Sequence, residues 1–204
     1  IAERGCGEHV PSADVNRGLR ESLSTAATTI GDSTTGAPTV NADVTNFHEV
    51  IAFSRARAEY AMNTLKERLE AHLKSGTRTI HGISPHAPYT VSPNLIKLLV
   101  SQARQHDLPI AMHLAESREE LELLSNGTGP FQHLLEERSM WDAEAIPRGS
   151  RPLDYLQILA AAPRALVIHG NYLDFFHELS FLGANRTHMS LVYCPRTHTY
   201  FGHE

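Results

Sequence analysis

Three apolar runs that each carry a histidine at their far end constrain this chain more than any other feature. They are Ile80–Pro88 (IHGISPHAP), Ile110–Glu116 (IAMHLAE) and Leu166–Asn171 (LVIHGN). Short continuous apolar runs are the signature of strands buried on both faces, and such strands belong to parallel sheets covered by helices. In those folds chemistry collects at the C-terminal ends of the strands. Histidines at the ends of three successive strands therefore point to a metal site or a histidine-rich catalytic mouth.

The remaining pattern supports a parallel α/β arrangement. Helices are expected at Ser12–Ala26, Arg55–Leu73, Ser92–His106, Arg118–Ser125, Pro130–Arg138, Pro152–Ala161 and Phe175–Gly183. Ser92 is the expected N-cap of its helix, with Pro93 in the first turn. Strands are expected at Thr28–Asp32, Val44–Phe53, Ile80–Ser84, Ile110–Leu114, Leu166–His169 and Leu191–Cys194. Asn46, His48 and Glu49 weaken the second of these. Six strands, each followed by helix or loop, favour right-handed parallel crossovers. The chain is read as ending after the loop of its last strand, with no closing helix. No Gly-rich phosphate loop follows the first strand, which disfavours an open-sheet dinucleotide binder and favours an interrupted barrel.

Composition excludes several classes. A net charge of −5 and the lack of a basic cluster argue against a nucleic-acid partner. No apolar run approaches the roughly 18 residues of a membrane span, and the first residues lack a signal-peptide pattern. Two distant cysteines, Cys6 and Cys194, are too few for a disulfide framework and suit a cytoplasmic protein. Cys6 and His9 have a zinc-like spacing, but no second pair accompanies them.

The candidate chemistry lies at the strand ends. His113 would close its strand with Glu116 three residues on. Neutral imidazoles hold a metal ion, and a nearby carboxylate can move protons. The competing reading makes His113 a hydrogen-bonded core residue and Glu116 a first-turn helix acid. His169 ends the next strand, before Gly170; alone it reads as a structural histidine, together with His113 as half of a shared ion site. His86, between Pro85 and Pro88, suits a substrate contact, or else a solvent-facing turn. After the last strand, Arg196 or His198 could face the mouth, while Cys194 reads as a buried inert thiol. His72, His106, His177 and His188 read as surface residues.

Four ordered motifs, SPHAPYTVSP, MHLAES-x-EE, VIHGNYL and VYCPRTHTYFGH, resemble the amidohydrolase superfamily in its cytosine/adenosine deaminase and chlorohydrolase branch. The stretch GLRESLSTAATTIGD is similar to the second strand–helix unit of those proteins. The resemblance implies a (β/α)8 TIM-type barrel, here spanning strands two to seven over residues 1–204 as one partial domain. It implies a divalent ion, zinc first and iron second, with His113 and His169 as ligands and Glu116 as the proton shuttle. It implies substrate contacts from His86, Arg196 and His198. The family's first-strand H-x-H pair and eighth-strand aspartate are expected outside Ile1–Glu204, so the 204 residues alone are expected to be inactive. Thr197–His198 stands where the family more often has serine–asparagine, and the CPR-x-H-x-YFGH variant leans towards nucleoside-deaminase members.

The function implied is hydrolysis of a C–N bond of an aminated heterocycle or nucleoside by metal-activated water. The partner is a small-molecule substrate, with no nucleic acid and no membrane, and a homodimer is compatible. The rival is a non-catalytic, degenerate barrel used as a binding scaffold.

Overall fold

Six parallel strands in sequential order, β1 to β6, form one curled sheet with helices on one side. The computed structural model describes residues 12–25, 27, 29–33, 43–75 and 80–202. The strands are β1 Thr29–Asp32, β2 Asp43–Val50, β3 Ile80–Pro85, β4 Pro109–Leu114, β5 Arg164–His169 and β6 Met189–Val192. The helices are α1 Ser12–Ser24, α2 Arg55–Ser75, α3 Pro93–Gln105, α4 Arg118–Asn126, α5 Pro130–Glu137, α6 Pro152–Leu159, α7 Ser180–Ala184 and α8 Pro195–Tyr200. A strand-then-helix alternation with every neighbour parallel is the arrangement of a (β/α)8 barrel, of which this sheet is an incomplete portion. The Cys6 and His9 spacing, read as chance, lies outside the described residues.

The two faces of the sheet are unlike. Ile83, Ile110, Met112, Leu114 and Val167 turn towards the helices and pack with Leu95, Ile96, Leu99, Leu123 and Leu156 in one buried core. At about 25 cal/mol per Å² of apolar surface removed from water, this layer is the main source of stability. On the opposite, inner face, Phe47 pairs in register with Gly82, and His113 with Ile168. Phe47 is buried, and its ring reaches the glycine backbones of both flanking strands, Gly31 and Gly82. The barrel interior is thus filled by a ring from the middle strand where its neighbours carry no side chain.

Local rules account for most element ends. Ser92 accepts a hydrogen bond from the Leu95 amide and caps α3, with proline in the first turn. Ser117 caps α4 by accepting from the Glu120 amide. One expectation is refined and two need correction. The segment from Phe175 begins as a π-helical turn, Phe175–Leu179, before α7. Ser180 Oγ donates to the Phe175 carbonyl five residues back, as a widened turn allows. A helix does follow the last strand: Pro195 opens α8, because a first-turn position needs no amide hydrogen. Cys194, expected to be buried, is half-buried at the start of that helix.

Candidate functional site

The sheet brings His86, His113 and His169 into one row at the C-terminal ends of β3, β4 and β5. Ring centroids are 5.2 Å apart for His86 and His113 and 5.4 Å for His113 and His169. His86 and His113 occupy matching positions where the β3–β4 register is carried past Ile83 and Ile110, whereas His169 lies one position beyond Ile168, the register partner of His113, and turns there at a positive φ.

Each ring is held differently. The His86 carbonyl accepts from both the His113 amide (3.0 Å) and His113 Nδ1 (2.9 Å). A carbonyl cannot donate, so Nδ1 carries the proton in this bond, which leaves Nε2 as the nitrogen a neutral imidazole offers to a metal. The His86 ring is fixed through Nδ1 to Thr90 Oγ1 at 2.8 Å and stands edge-on to Tyr89. Tyr89 itself stacks on Phe131, 4.2 Å between centroids.

His169 adopts φ +74°, a left-handed conformation unusual for a residue with a Cβ. Gly170 follows at φ +64°, where a Cβ would lie 2.6 Å from Leu191, so only glycine fits. This turn sets His169 Nε2 3.2 Å from Glu116 Oε1. His169 Nδ1 is buried and has no hydrogen-bond partner among the described residues. Burial, helped by the nearby His113, pushes the His169 pKa down to about 4, so the ring is neutral near pH 7. Burial raises the Glu116 carboxyl above its ordinary value, while His113 pulls it back down.

These residues fit a divalent ion in their chemistry. Two imidazoles bonded at about 2.1 Å to one tetrahedral ion have ring centroids roughly 5.3 Å apart, close to the 5.4 Å between His113 and His169. Imidazole nitrogens are the usual ligands of such an ion, and Nδ1 of His169 is a buried polar atom with no hydrogen-bond partner among the described residues. Among the described residues no group of three His, Cys, Asp or Glu side chains forms a metal cage.

The other expected site residues lie on α8, the helix after β6. Arg196 is exposed on α8, and His198 packs edge-on against Tyr193, 5.3 Å between centroids. His188, read as a surface residue, pairs through Nε2 with the Ala160 carbonyl at 3.1 Å. His177 is exposed beside Asp174, as expected.

Sequence reasoning missed three neighbours of Glu116. Asn171 Nδ2 donates to the Glu116 carbonyl at 3.1 Å. Glu120, fully buried, accepts from the Ala115 and Glu116 amides. Tyr89 has a phenol raised above its usual range, by burial first and then by Glu116 and Glu120. The S-x-x-E spacing of Ser117 and Glu120 was the available signal for the second. Also missed was a buried pair on the other side of the sheet, His48 Nε2 and His81 Nδ1, 2.7 Å apart.

Comparison with known proteins follows the same lines. The model of the Amidohydrolase family matches residues 11–199. An aminodeoxyfutalosine deaminase of Deinococcus radiodurans is 32% identical over 155 residues, 67% of this chain and 33% of the relative. A 5-methylthioadenosine/S-adenosylhomocysteine deaminase of Shouchella clausii is 41% identical over 71 residues, 34% of this chain and 16% of the relative. The crystal structure of Helicobacter pylori aminofutalosine deaminase superposes with a TM-score of 0.70 at 17% identity, covering 90% of this chain and 47% of that one. That likeness establishes the fold. The chain spans about a third of the length of the first of these relatives.

Proposed function

The chain belongs to the amidohydrolase family, and from that premise we propose that its protein is a metal-dependent deaminase of adenosine-like nucleosides. The observation that carries the reading is the His113–His169 pair at one rim with the Glu116 carboxyl 3.2 Å from His169. The deaminases among its relatives support the substrate class, and two of them are named for 5-methylthioadenosine and 5′-deoxyadenosine.

In this reading His113 and His169 hold a divalent ion, zinc first and iron second, with further ligands from elsewhere in the protein. Such an ion supplies Lewis acidity that lowers the pKa of water to near neutrality. Glu116, its carboxyl raised by burial, holds a proton near pH 7 more readily than an exposed glutamate. It delivers that proton to a ring nitrogen of the heterocycle as water adds to the adjacent carbon. One proton of the water replaces the one Glu116 gave up and the other passes to the amino group, which leaves as ammonia while the water's oxygen remains on the ring. His86, fixed by Thr90 and Tyr89, contacts the substrate. Arg196 and His198 reach the substrate from the segment after β6.

The remaining assignments follow from the same reading. Residues 1–204 form one partial barrel domain, the partner is a small molecule, and a homodimer in the cytoplasm is compatible with the two cysteines of the sequence. No described helix is long and apolar enough to cross a membrane.

Elemental analysis of the full-length protein tests the ligand assignment. Wild type should retain about one equivalent of metal and His113→Ala should lose it. Metal content unchanged by that substitution refutes the site. Deamination is followed by the ultraviolet change of an adenine nucleoside, with cytosine, guanine and a chlorinated triazine as comparison substrates.

A further inference from the structure

Glu120 does not do what its place in the sequence prescribes. Ser117 and Glu120 form the S-x-x-E pattern of a capping box. Ser117 plays its part, accepting from the Glu120 amide at 3.3 Å. The glutamate of such a box returns to the amide of the cap residue itself. Here it overshoots: Oε1 accepts from the Ala115 amide at 2.7 Å and Oε2 from the Glu116 amide at 3.1 Å.

That arrangement is costly for a helix cap. Glu120 is fully buried, and a carboxyl group out of water is tolerated only when its oxygens are satisfied. A solvent-facing box would cap α4 without burying an acid. What the carboxylate secures is the turn between β4 and α4. Ala115 adopts φ +54° there, a strained conformation for a residue with a Cβ. The carbonyls of the same turn are held from the other side: Tyr172 donates its amide to Ala115 at 3.2 Å, and Asn171 Nδ2 donates to Glu116. Residues 115 and 116 thus have both amides on Glu120 and both carbonyls on the segment after β5.

We propose that Glu120 is a positioning residue for Glu116, its two carboxylate oxygens fixing the strained turn from which the Glu116 side chain reaches His169. This deepens the deaminase reading and rests on it. Glu116 has only its own rotamers to choose from once the backbone is clamped. Without the clamp Ala115 can relax to a common conformation, and the Glu116 carboxyl swings with it.

The test uses the full-length, zinc-loaded protein with 5′-methylthioadenosine as probe and compares Glu120→Gln, Glu120→Asp and Glu116→Gln. Gln keeps the size but turns an NH2 group against one backbone N–H, and Asp keeps the carboxyl group but cannot span both amides. Either should lower kcat about 10–100-fold, the usual effect of an outer-shell partner. KM should stay within about threefold and zinc content should not change, a split that general loosening of the fold would not give. Glu116→Gln should lose at least about 1000-fold in kcat. A folded Glu120 variant with kcat within about twofold of wild type, beside a dead Glu116→Gln, overturns this inference and leaves the deaminase reading standing. A Glu116→Gln variant with wild-type kcat brings down the reading and the inference with it. Should both Glu120 variants fail to fold, amide hydrogen exchange of the wild type decides. Slow exchange at Ala115 and Glu116 upholds the clamp, and exchange at the rate of an unprotected peptide overturns it.

Discussion

Replacing Gly82 with alanine should break the inner packing of the sheet. A Cβ at that position would fall 2.5 Å from Phe47 Cδ1 and Cε1 and 2.9 Å from the Pro109 carbonyl oxygen. Carbon atoms in contact sit about 3.5–4.0 Å apart, so the ring would have to retreat by about 1 Å. Phe47 is only 4% exposed, and its other edge lies over the Gly31 backbone. The Pro109 oxygen belongs to β4 and cannot move without the strand. Overpacking a core typically costs 1–3 kcal/mol, and the backbone contact sets the expectation at the upper end, about 3 kcal/mol. Phe47→Leu alone should cost about 1 kcal/mol, since it removes part of the buried ring area. The two together should cost at least about 1 kcal/mol less than their sum, because the smaller side chain relieves the clash. Urea denaturation followed by circular dichroism measures all three. A Gly82→Ala cost below about 1 kcal/mol, or strict additivity, refutes the argument.

Two further outcomes concern the rim. In the metal-free protein the His169 pKa sits at about 4, against about 6.5 when unfolded. The unfolded chain takes up a proton that the native site refuses, so His169 contributes full stability above about pH 6.5 and loses it as the pH falls towards 4. The loss amounts to about 3 kcal/mol and should be absent from the urea profile of His169→Gln. Asn171→Ala removes one hydrogen bond to the Glu116 carbonyl, worth about 1 kcal/mol. It should lower kcat about fivefold in steady-state assays with KM little changed.

The strands β3, β4 and β5 and their histidines were legible because each is a short, largely apolar and largely buried run. Ser92 and Pro93 likewise announced α3 by chemistry that operates within four residues. What escaped depends on distances the chain only closes in three dimensions. The His48–His81 pair spans 33 residues and follows from the register in which Asn46 meets His81. Glu120 sits in an S-x-x-E spacing that signals a helix start, but its reach past Ser117 depends on the strained turn at Ala115. The π-helical turn at Phe175 was not distinguishable from an α-helix by composition. The segment PRTHTY of α8, rich in β-branched and polar residues, carries weak helix propensity and reads as loop.

The ties from Asn171 and Tyr172 to residues 115 and 116 have a bearing on redesign. They make the stretches after β4 and β5 a single mechanical unit, so neither can be lengthened or grafted alone without unhooking the other. An engineer retuning selectivity would transplant both together, or leave them and diversify the wall around Tyr89 and Phe131 instead.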